Sequence, residues 1–321
     1  MLILPNKFLI VLNGRIGDTI FCTPMIRLLK QTFPACQIDI LSTTKDAQTV
    51  LQKNPYINNL YLNPDKLALQ KLAAADYDNI LLPYEHYGAL DLALSLNKSF
   101  IAVPEEYMQN MHMTERFVKY YADLWKINLD GFDYAYDMRI DKKDHDNILR
   151  LLKKYDLDPK QNILIGFHLG CHRLAFLEKR FWHKTYHKKI WPWKHFVKLA
   201  RKLTTKYPNA RIIITGAGQE KIMAEKFLRK YKHAVSFIDQ TTLPELLALM
   251  SYLELYVTCD SAPLHLACIA KVNIIALFGG ETHAYKTGPF PPAKNHVVIQ
   301  KDKIKNISVA EVFKACLTFL A

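Results

Sequence analysis

Hydrophobic and polar positions alternate along this chain in a way that predicts a repeated strand–helix order. Short apolar runs, such as residues 7–12, have the length and the β-branched content of buried strands. The segments that follow them, such as residues 20–29, carry apolar residues at helical spacing and end near a proline. Strands separated by helices favour a parallel sheet that is covered by helices on both faces. The pattern therefore predicts an α/β fold.

Two such series follow one another. The first predicts strands at residues 7–12, 37–41, 59–62, 79–83 and 99–103. The second predicts strands at residues 162–167, 211–215, 235–238, 253–259 and 273–278, and a terminal helix at 309–319. An acidic, irregular stretch separates the series, so we place the domain boundary after Asp158. The prediction is two Rossmann-like domains, residues 1–158 and 159–321, with ligands at the carboxyl ends of the strands.

Composition predicts a soluble, cytoplasmic protein. Half of the 321 residues are hydrophobic, yet no apolar run reaches the roughly 18 residues that a membrane helix needs. The N-terminal apolar run is also too short for a secretory signal. The six cysteines show no metal-ligand spacing, and most lie in apolar runs, which indicates reduced, buried thiols.

A formal net charge of +13 indicates an anionic partner. Nucleic acid, phosphorylated sugars and an acidic membrane surface all have the required charge. Basic and aromatic side chains interleave between Lys179 and His195, a pattern that suits either stacked bases or lipid headgroups. Because no pattern of a nucleic-acid-binding module accompanies this segment, we expect no nucleic acid partner.

The end of the strand at 253–259 has the features of an anion site. Asp260 and Ser261 supply N-cap chemistry, and Pro263 is tolerated only in a first helical turn. A helix that starts there presents unpaired N–H groups and the positive end of its dipole, which suit a phosphate. His265, one turn further on, adds a possible hydrogen bond. The alternative is an ordinary N-cap followed by a histidine packed in the core.

Other polar residues lie at similar strand–helix connections. Asp18 ends a glycine-containing turn that is neither a Walker loop nor a GxGxxG fingerprint, and it either faces a cleft or caps a helix. Glu220 ends a second glycine-containing turn and has the reach for a ribose. Lys189 precedes a helix entry, where it either faces a phosphate or is solvated. Three Asp-x-Asp triplets lie at turns and element starts, where carboxylates cap and are solvated, so we expect no metal site.

Together these motifs resemble glycosyltransferase family 9, the bacterial ADP-heptose:lipopolysaccharide heptosyltransferases. In the first half, residues 16–24 match a motif of the family, and residues 77–81 and 112–118 match two weaker motifs. In the second half, the matching segments are residues 166–170, 189–192, 258–267, 278–279 and 287–290. The chain departs from the family pattern at Ala262, where a glycine is usual, and between residues 170 and 189, where it is longer and richer in basic and aromatic residues.

The resemblance implies a GT-B fold, in which two Rossmann-like domains with parallel sheets face a central cleft. The first domain would bind the acceptor and the second the nucleotide sugar. The implied reaction is an inverting, metal-independent transfer of heptose from ADP-heptose to the inner core of lipopolysaccharide or lipooligosaccharide, onto Kdo or heptose. The implied protein needs no cofactor. It would be a monomer that lies peripherally on the cytoplasmic face of the inner membrane, where lipid A–Kdo or the inner core would be its acceptor.

The resemblance also assigns roles to residues. Asp18 would be the general base, and Lys189 would neutralise the departing diphosphate. Donor-binding residues would be Thr185, Glu220 at the ribose, Thr241 near the base, Asp260, Ser261, Ala262, Pro263 and His265, and acceptor-binding residues would be Arg15, Gly17 and Thr19. The alternatives are a GT-B transferase with another nucleotide sugar or a protein acceptor, and a non-catalytic module that binds acidic glycolipid.

Overall fold

The computed structural model describes residues 5–86, 88–171, 189–280 and 282–320. The chain divides into two compact units, Met1–Arg139 and Ile140–Ala321. Each unit is built on one parallel β-sheet, as the alternation of strands and helices predicts.

The first unit has a sheet of five strands. They are β1 (Lys7–Val11), β2 (Gln37–Ser42), β3 (Asn59–Leu62), β4 (Asn79–Leu82) and β5 (Ile101–Ala102). The helices are α1 (Ile16–Thr32), α2 (Lys45–Leu51), α3 (Lys66–Ala74), α4 (Ala89–Leu94) and α5 (Met113–Trp125). The strand order is β3-β2-β1-β4-β5, with all neighbours parallel.

The second unit has a sheet of six strands. They are β6 (Ile163–His168), β7 (Ala210–Thr215), β8 (Val235–Ser236), β9 (Leu255–Cys259), β10 (Asn273–Gly279) and β11 (His296–Lys301). The helices are α6 (Lys142–Lys154), α7 (Trp193–Lys206), α8 (Lys221–Lys230), α9 (Leu243–Met250), α10 (Ala262–Ala270), α11 (Ala284–Thr287) and α12 (Val309–Leu317). The strand order is β11-β10-β9-β6-β7-β8, again parallel.

Each sheet contains one point at which the strand order reverses direction. In the first unit it lies between β1 and β4, and in the second between β6 and β9. Helices on either side of such a point diverge, so a crevice opens at the carboxyl ends of the two strands, and ligands of doubly wound α/β proteins bind there. Both units are therefore Rossmann-like, as predicted, and each has one preferred place for a site.

The central strands are buried because helices cover both of their faces. Residues 8–12 are fully buried in the first unit, which accounts for a continuous apolar run rather than an alternating one. Helix α1 is fastened at its far end by the buried Arg27, whose guanidinium pairs with the Asp137 carboxylate and donates to the carbonyls of Asp133 and Ala135. This fastening fixes the direction in which the first turn of α1 points.

The boundary between the compact units falls earlier than the one expected after Asp158. Helix α6 packs against α9 in the second unit, so it belongs there and not with the strands that precede it. Strand β11 was not predicted at all. It lies at the edge of its sheet, where half-exposed polar and apolar residues give no clear strand pattern.

Candidate functional site

The turn between β1 and α1 lies at the reversal point of the first sheet. Its Asn13 side-chain carbonyl accepts hydrogen bonds from the Thr43 backbone N–H at 2.9 Å and from the Thr43 hydroxyl at 2.6 Å. The Thr44 hydroxyl donates to the Gly14 carbonyl at 3.1 Å. The connection between β2 and α2 therefore holds this turn in place.

Asp18 is half-buried in the first turn of α1. One of its carboxylate oxygens accepts a hydrogen bond from the Arg15 backbone N–H at 3.2 Å, so Asp18 caps the helix. The cap also holds the carboxylate at the carboxyl edge of the sheet. The capping role and the predicted role at a ligand site are thus compatible in this geometry.

The three predicted acceptor-binding residues differ in exposure. Arg15 and Gly17 are partly exposed beside Asp18, where an acceptor would approach. Thr19, by contrast, is fully buried, because the third and fourth residues of this first turn face different sides of the helix. Its side chain does not reach the surface, and the expected direct contact with the acceptor is not supported.

In the second unit, Lys189 and Asp260 form an ion pair at the reversal point between β6 and β9. The Lys189 Nζ lies 2.5 Å from the Asp260 Oδ2, and the Thr287 hydroxyl donates to the other carboxylate oxygen at 3.3 Å. The Asp260 side chain is 10% exposed and that of Lys189 is 28% exposed. The structure thus brings together two residues that sequence analysis proposed separately for the donor site.

Trp191 fixes the backbone two residues beyond Lys189. Its side chain is fully buried, and its indole N–H donates to the Ile307 carbonyl at 2.9 Å. Its backbone N–H points at the Cys259 sulfur, at 3.4 Å, in the last residue of β9. The hydrophobic Ile-Trp-Pro segment therefore anchors Lys189 beside Asp260 by packing, not by charge alone.

The start of α10 has no capping hydrogen bond from its N-cap side chain. Ser261 is the N-cap residue, but its hydroxyl donates back to the Cys259 carbonyl at 3.2 Å and makes no capping bond to the helix. Pro263 lies in the first turn and supplies no N–H. Ala262 is a regular helical residue without a positive φ, so the missing glycine of the family pattern introduces no strain. The positive end of α10 thus remains uncapped by its own N-cap side chain.

His265 and His168 are both buried and neutral. Burial lowers the pKa of His265 to about 3, so this residue cannot offer a positive charge to a phosphate at neutral pH. His168 ends β6, contacts the Thr215 carbonyl through Nδ1 at 3.2 Å, and has its pKa lowered by burial to about 4. His265 is buried, as the alternative of a core histidine expects, but a neutral imidazole can still donate a hydrogen bond, so its predicted contact with the donor stays a prediction.

The remaining predicted donor residues lie in neighbouring loops of the same edge. Glu220 follows β7 and is buried, and its Oε2 accepts from the Ala217 backbone N–H at 2.9 Å. Thr241 is half-buried and immediately precedes Thr242, the N-cap of α9. Thr185 lies outside the described residues. The Glu220 side chain is buried, and its contact with a ribose stays a prediction.

Two residues at the reversal points were not among the predicted site residues. Tyr84 follows β4 in the first unit, and His168 ends β6 in the second. Their positions in the sequence could have indicated them, because Tyr84 lies two residues after β4 and His168 is the last residue of β6, and each of these strands borders a reversal point. Among the described residues, no group of three His, Cys, Asp or Glu side chains could hold a metal ion. No helix in the described part of the chain is long and apolar enough to cross a bilayer.

Fold and site together define a two-unit α/β protein whose second half has a Lys–Asp ion pair beside a helix N-terminus that its N-cap side chain does not cap. Residues 102–316 match the profile of glycosyltransferase family 9 (heptosyltransferase), which is more than half of the chain. The chain therefore belongs to this family, as its motifs predict, and it is a glycosyltransferase.

Relatives and solved structures agree with this assignment. Lipooligosaccharide heptosyltransferase 2 of Campylobacter jejuni subsp. jejuni is 23% identical over 302 residues, covering 88% of this chain and 84% of the relative. The crystal structure of a family 9 glycosyl transferase from Veillonella parvula DSM 2008 has a TM-score of 0.80 at 18% identity, over 98% of this chain and 97% of that one. The ADP-heptose lps heptosyltransferase II of E. coli has a TM-score of 0.75 at 15% identity, over 98% of each chain. These structures show the fold, which is the expected GT-B fold.

Proposed function

We propose that this protein transfers heptose from ADP-heptose to a sugar of the inner core of lipopolysaccharide or lipooligosaccharide. Membership of the heptosyltransferase family and the name of the Campylobacter jejuni relative support this substrate class. The observation that carries the donor site is the Lys189–Asp260 pair beside the start of α10. A cation and a helix N-terminus at a sheet reversal point are the groups that a nucleoside diphosphate requires.

The diphosphate would take the Lys189 ammonium away from Asp260. The Asp260 carboxylate forms an ion pair with the Lys189 ammonium, and a diphosphate, which carries more negative charge, would compete with this carboxylate for the ammonium. Asp260, released from the lysine and still near Thr287, would then accept hydrogen bonds from hydroxyl groups of the donor sugar. Ser261, Ala262 and Pro263 contribute the helix end rather than side-chain charge.

The chemical step would be a direct displacement with Asp18 as the general base. The Asp18 carboxylate takes the proton of an acceptor hydroxyl, and the acceptor oxygen forms a bond to the anomeric carbon of the heptose. The bond from that carbon to the diphosphate oxygen breaks, and its electron pair leaves with ADP. Attack from the side opposite the diphosphate inverts the configuration of the anomeric carbon.

Charge on the leaving group would be stabilised by the protein itself. Lys189 and the N-terminus of α10 face the oxygen on which negative charge develops, and groups fixed in advance are effective there. We propose that divalent metal is dispensable for this reason. The effect of Asp18 as a base would depend on the position of its carboxylate against the acceptor hydroxyl.

The acceptor would be anionic and carried by a lipid. The net charge of +13 favours association with phosphorylated, lipid-anchored sugars at the cytoplasmic face of the inner membrane. The basic and aromatic segment at residues 171–195 is our candidate for this contact, although most of it lies outside the described residues. We propose a peripheral, monomeric protein that binds no nucleic acid.

A donor and acceptor panel tests the proposal. The protein is incubated with ADP-heptose, a UDP-sugar or a GDP-sugar and with truncated lipooligosaccharides that end in Kdo or in heptose. The masses of the products are then measured by mass spectrometry. We expect a mass increase of one heptose with ADP-heptose only. Transfer from a UDP- or GDP-sugar would support a different donor class. No transfer to any glycolipid, together with transfer to a protein, would contradict the lipopolysaccharide acceptor.

A further inference from the structure

Tyr84 occupies the reversal point of the first sheet, opposite the turn that carries Asp18. It follows β4, the strand that pairs with β1, and its side chain is only 6% exposed. Its ring packs against Phe117 of α5, with the ring centroids 6.1 Å apart. The phenol is therefore held from behind by α5, and its hydroxyl lies at the β1–α1 turn.

The hydroxyl of Tyr84 touches the backbone of Gly14. A Cβ atom added at Gly14 would lie 2.3 Å from the Tyr84 hydroxyl oxygen and 2.8 Å from the Cβ of Asp18. Both distances are far below van der Waals contact, so no residue other than glycine fits without displacing its neighbours. Gly14 is thus enclosed between the hydroxyl of Tyr84 and the base of the Asp18 side chain.

The same hydroxyl makes no hydrogen bond of normal geometry. Among the described residues, the hydroxyls of Tyr84 and of Thr19 are both buried and have no hydrogen-bond partner. A buried, unpaired polar group costs about 1–3 kcal/mol relative to a paired one. A phenylalanine at position 84 would fill nearly the same space without that cost, so stability does not account for the hydroxyl.

Tyr84 stays uncharged beside Asp18. Burial raises the pKa of Tyr84 well above its ordinary value, and negative charge at Cys22 or Asp18 would raise it further. The Gly14 N–H and the Thr19 hydroxyl lie near enough to the phenol oxygen to lower this pKa, but neither forms a hydrogen bond of normal geometry with it. The group that faces the turn is thus a neutral hydroxyl of fixed position, and its contribution is steric and dipolar.

We infer that Tyr84 is a positioning residue for Asp18, acting through Gly14. The hydroxyl supports the turn from one side, the turn supports the Asp18 Cβ from the other, and the carboxylate is thereby held at the sheet edge. This inference rests on the proposed function, in which Asp18 is the base. Tyr84 would contact neither substrate. Its role would be to fix the position of the Asp18 carboxylate that accepts the proton of the acceptor hydroxyl.

Tyr84→Phe tests the inference, because it removes the hydroxyl and keeps the ring against Phe117. Misplacement of a reacting group by 1 Å costs about 100-fold in rate, so a partial relaxation of the turn predicts a kcat about 5- to 50-fold lower. The KM for ADP-heptose and the affinity for ADP should not change. The melting temperature should stay the same or rise, since an unpaired hydroxyl is gone.

Tyr121→Phe is the matched control in the same unit. Tyr121 is also fully buried, but its hydroxyl donates to the Ile101 carbonyl at 3.3 Å. Its removal leaves a carbonyl without its partner, so we expect a lower melting temperature and an unchanged kcat. We therefore expect Tyr84→Phe to lower kcat without lowering the melting temperature, and Tyr121→Phe to lower the melting temperature without lowering kcat.

Gly14→Ala supplies a coupling measurement. The added methyl group would lie 2.3 Å from the Tyr84 hydroxyl oxygen and 2.8 Å from the Tyr84 Cζ, and Tyr84→Phe removes only the first of these clashes. The loss of kcat caused by Gly14→Ala should therefore be smaller, although not absent, in the Tyr84→Phe background. Additive losses would overturn the contact on which the inference depends. An unchanged kcat in Tyr84→Phe, or a kcat that falls only in proportion to a lowered melting temperature, would overturn it as well.

A crystal structure of Tyr84→Phe separates this inference from the proposed function. Displacement of the Asp18 Cβ or of the Gly14 backbone relative to the parent supports the positioning role, and an unchanged turn overturns it. This readout needs no turnover. If the parent protein transfers no heptose, the proposed reaction fails, while the structural comparison still decides the role of Tyr84.

Discussion

The Lys189 ammonium and the Asp260 carboxylate lie 2.5 Å apart, although 71 positions separate them in the sequence. The pair is partly shielded from solvent, and it follows directly from the packing of Trp191 beneath the end of β9. The charge of the Lys189 ammonium is thus neutralised by the Asp260 carboxylate. In the function proposed above, a diphosphate would take the place of this carboxylate, so the affinity for ADP should depend on both residues.

Lys189→Ala should weaken ADP binding and slow heptose transfer together. A charge-assisted hydrogen bond to phosphate contributes about 1.5–3 kcal/mol, so we expect the Kd for ADP to rise about 10- to 100-fold by isothermal titration calorimetry. Lys198→Ala, on the exposed side of α7, is the control and should leave the Kd unchanged. Equal affinities in Lys189→Ala and the parent would show that Lys189 is a solvated lysine.

Asp18→Asn should abolish most of the turnover and leave the donor site intact. Asparagine keeps an oxygen that accepts the Arg15 N–H, but it cannot take the acceptor proton. General base catalysis contributes about 10²- to 10⁴-fold, so kcat should fall by about that factor, while the Kd for ADP changes little.

Asp46→Asn is the control for Asp18, since Asp46 also lies in the first turn of a helix, α2. It should retain the parental kcat. A near-normal kcat in Asp18→Asn would leave Asp18 with the capping role alone. Circular dichroism must show a folded Asp18→Asn protein for a loss of kcat to count as evidence for the base.

Removal of divalent metal should not change the rate. Lys189 and the N-terminus of α10 are the groups proposed to stabilise the leaving diphosphate, so no metal ion is required for that charge. Initial rates are measured in buffer treated with EDTA and again after addition of magnesium or manganese. A loss with EDTA that either metal restores would refute the metal-independent mechanism.

Stability should fall between pH 6.5 and pH 4 because of His168. Its pKa in the folded protein is lowered to about 4, whereas an unfolded histidine titrates near 6.5. Below pH 6.5 the unfolded chain therefore binds a proton that the folded protein does not, and the free energy of unfolding decreases by up to about 3 kcal/mol.

His168→Asn removes this titration and keeps a donor for the Thr215 carbonyl. Its melting temperature should fall less between pH 7 and pH 4.5 than that of the parent. His233→Asn, at an exposed position, should behave as the parent does. If the melting temperature of His168→Asn depends on pH as that of the parent does, the pKa of His168 is not lowered in the folded protein.

Periodicity predicts most elements of the fold to within a few residues. The strand predicted at 59–62 is confirmed at both ends, and the terminal helix predicted at 309–319 begins where it was predicted and ends at Leu317. Strand β11 and the placement of α6 escape prediction. A half-exposed edge strand carries no sharp pattern, and the assignment of a helix to one unit or the other is decided by distant packing partners.

The site was less predictable than the fold, because sequence patterns locate strand ends but not side-chain partners. Asp18 and Asp260 follow from strand–helix connections, and the structure places both at reversal points. The burial of Thr19 and His265 depends on which helix face meets the sheet, and neither residue type reveals it. For Tyr84, the sequence offered only its position shortly after a strand, which does not indicate its role. Its importance comes from a contact with Gly14, and a contact between two loops has no local signature.

The hydrogen bond from Trp191 to Ile307 has a consequence for how the chain is made. Trp191, which anchors Lys189, requires the carbonyl of Ile307, 116 positions further along the chain, and Ile307 itself lies in the core formed with Val312 and Cys316 of α12. During synthesis the first unit can form the turn that holds Asp18 well before Ile307 has left the ribosome. A nascent chain, or one truncated before Ile307, would therefore carry the Asp18 turn without the anchored Lys189–Asp260 pair.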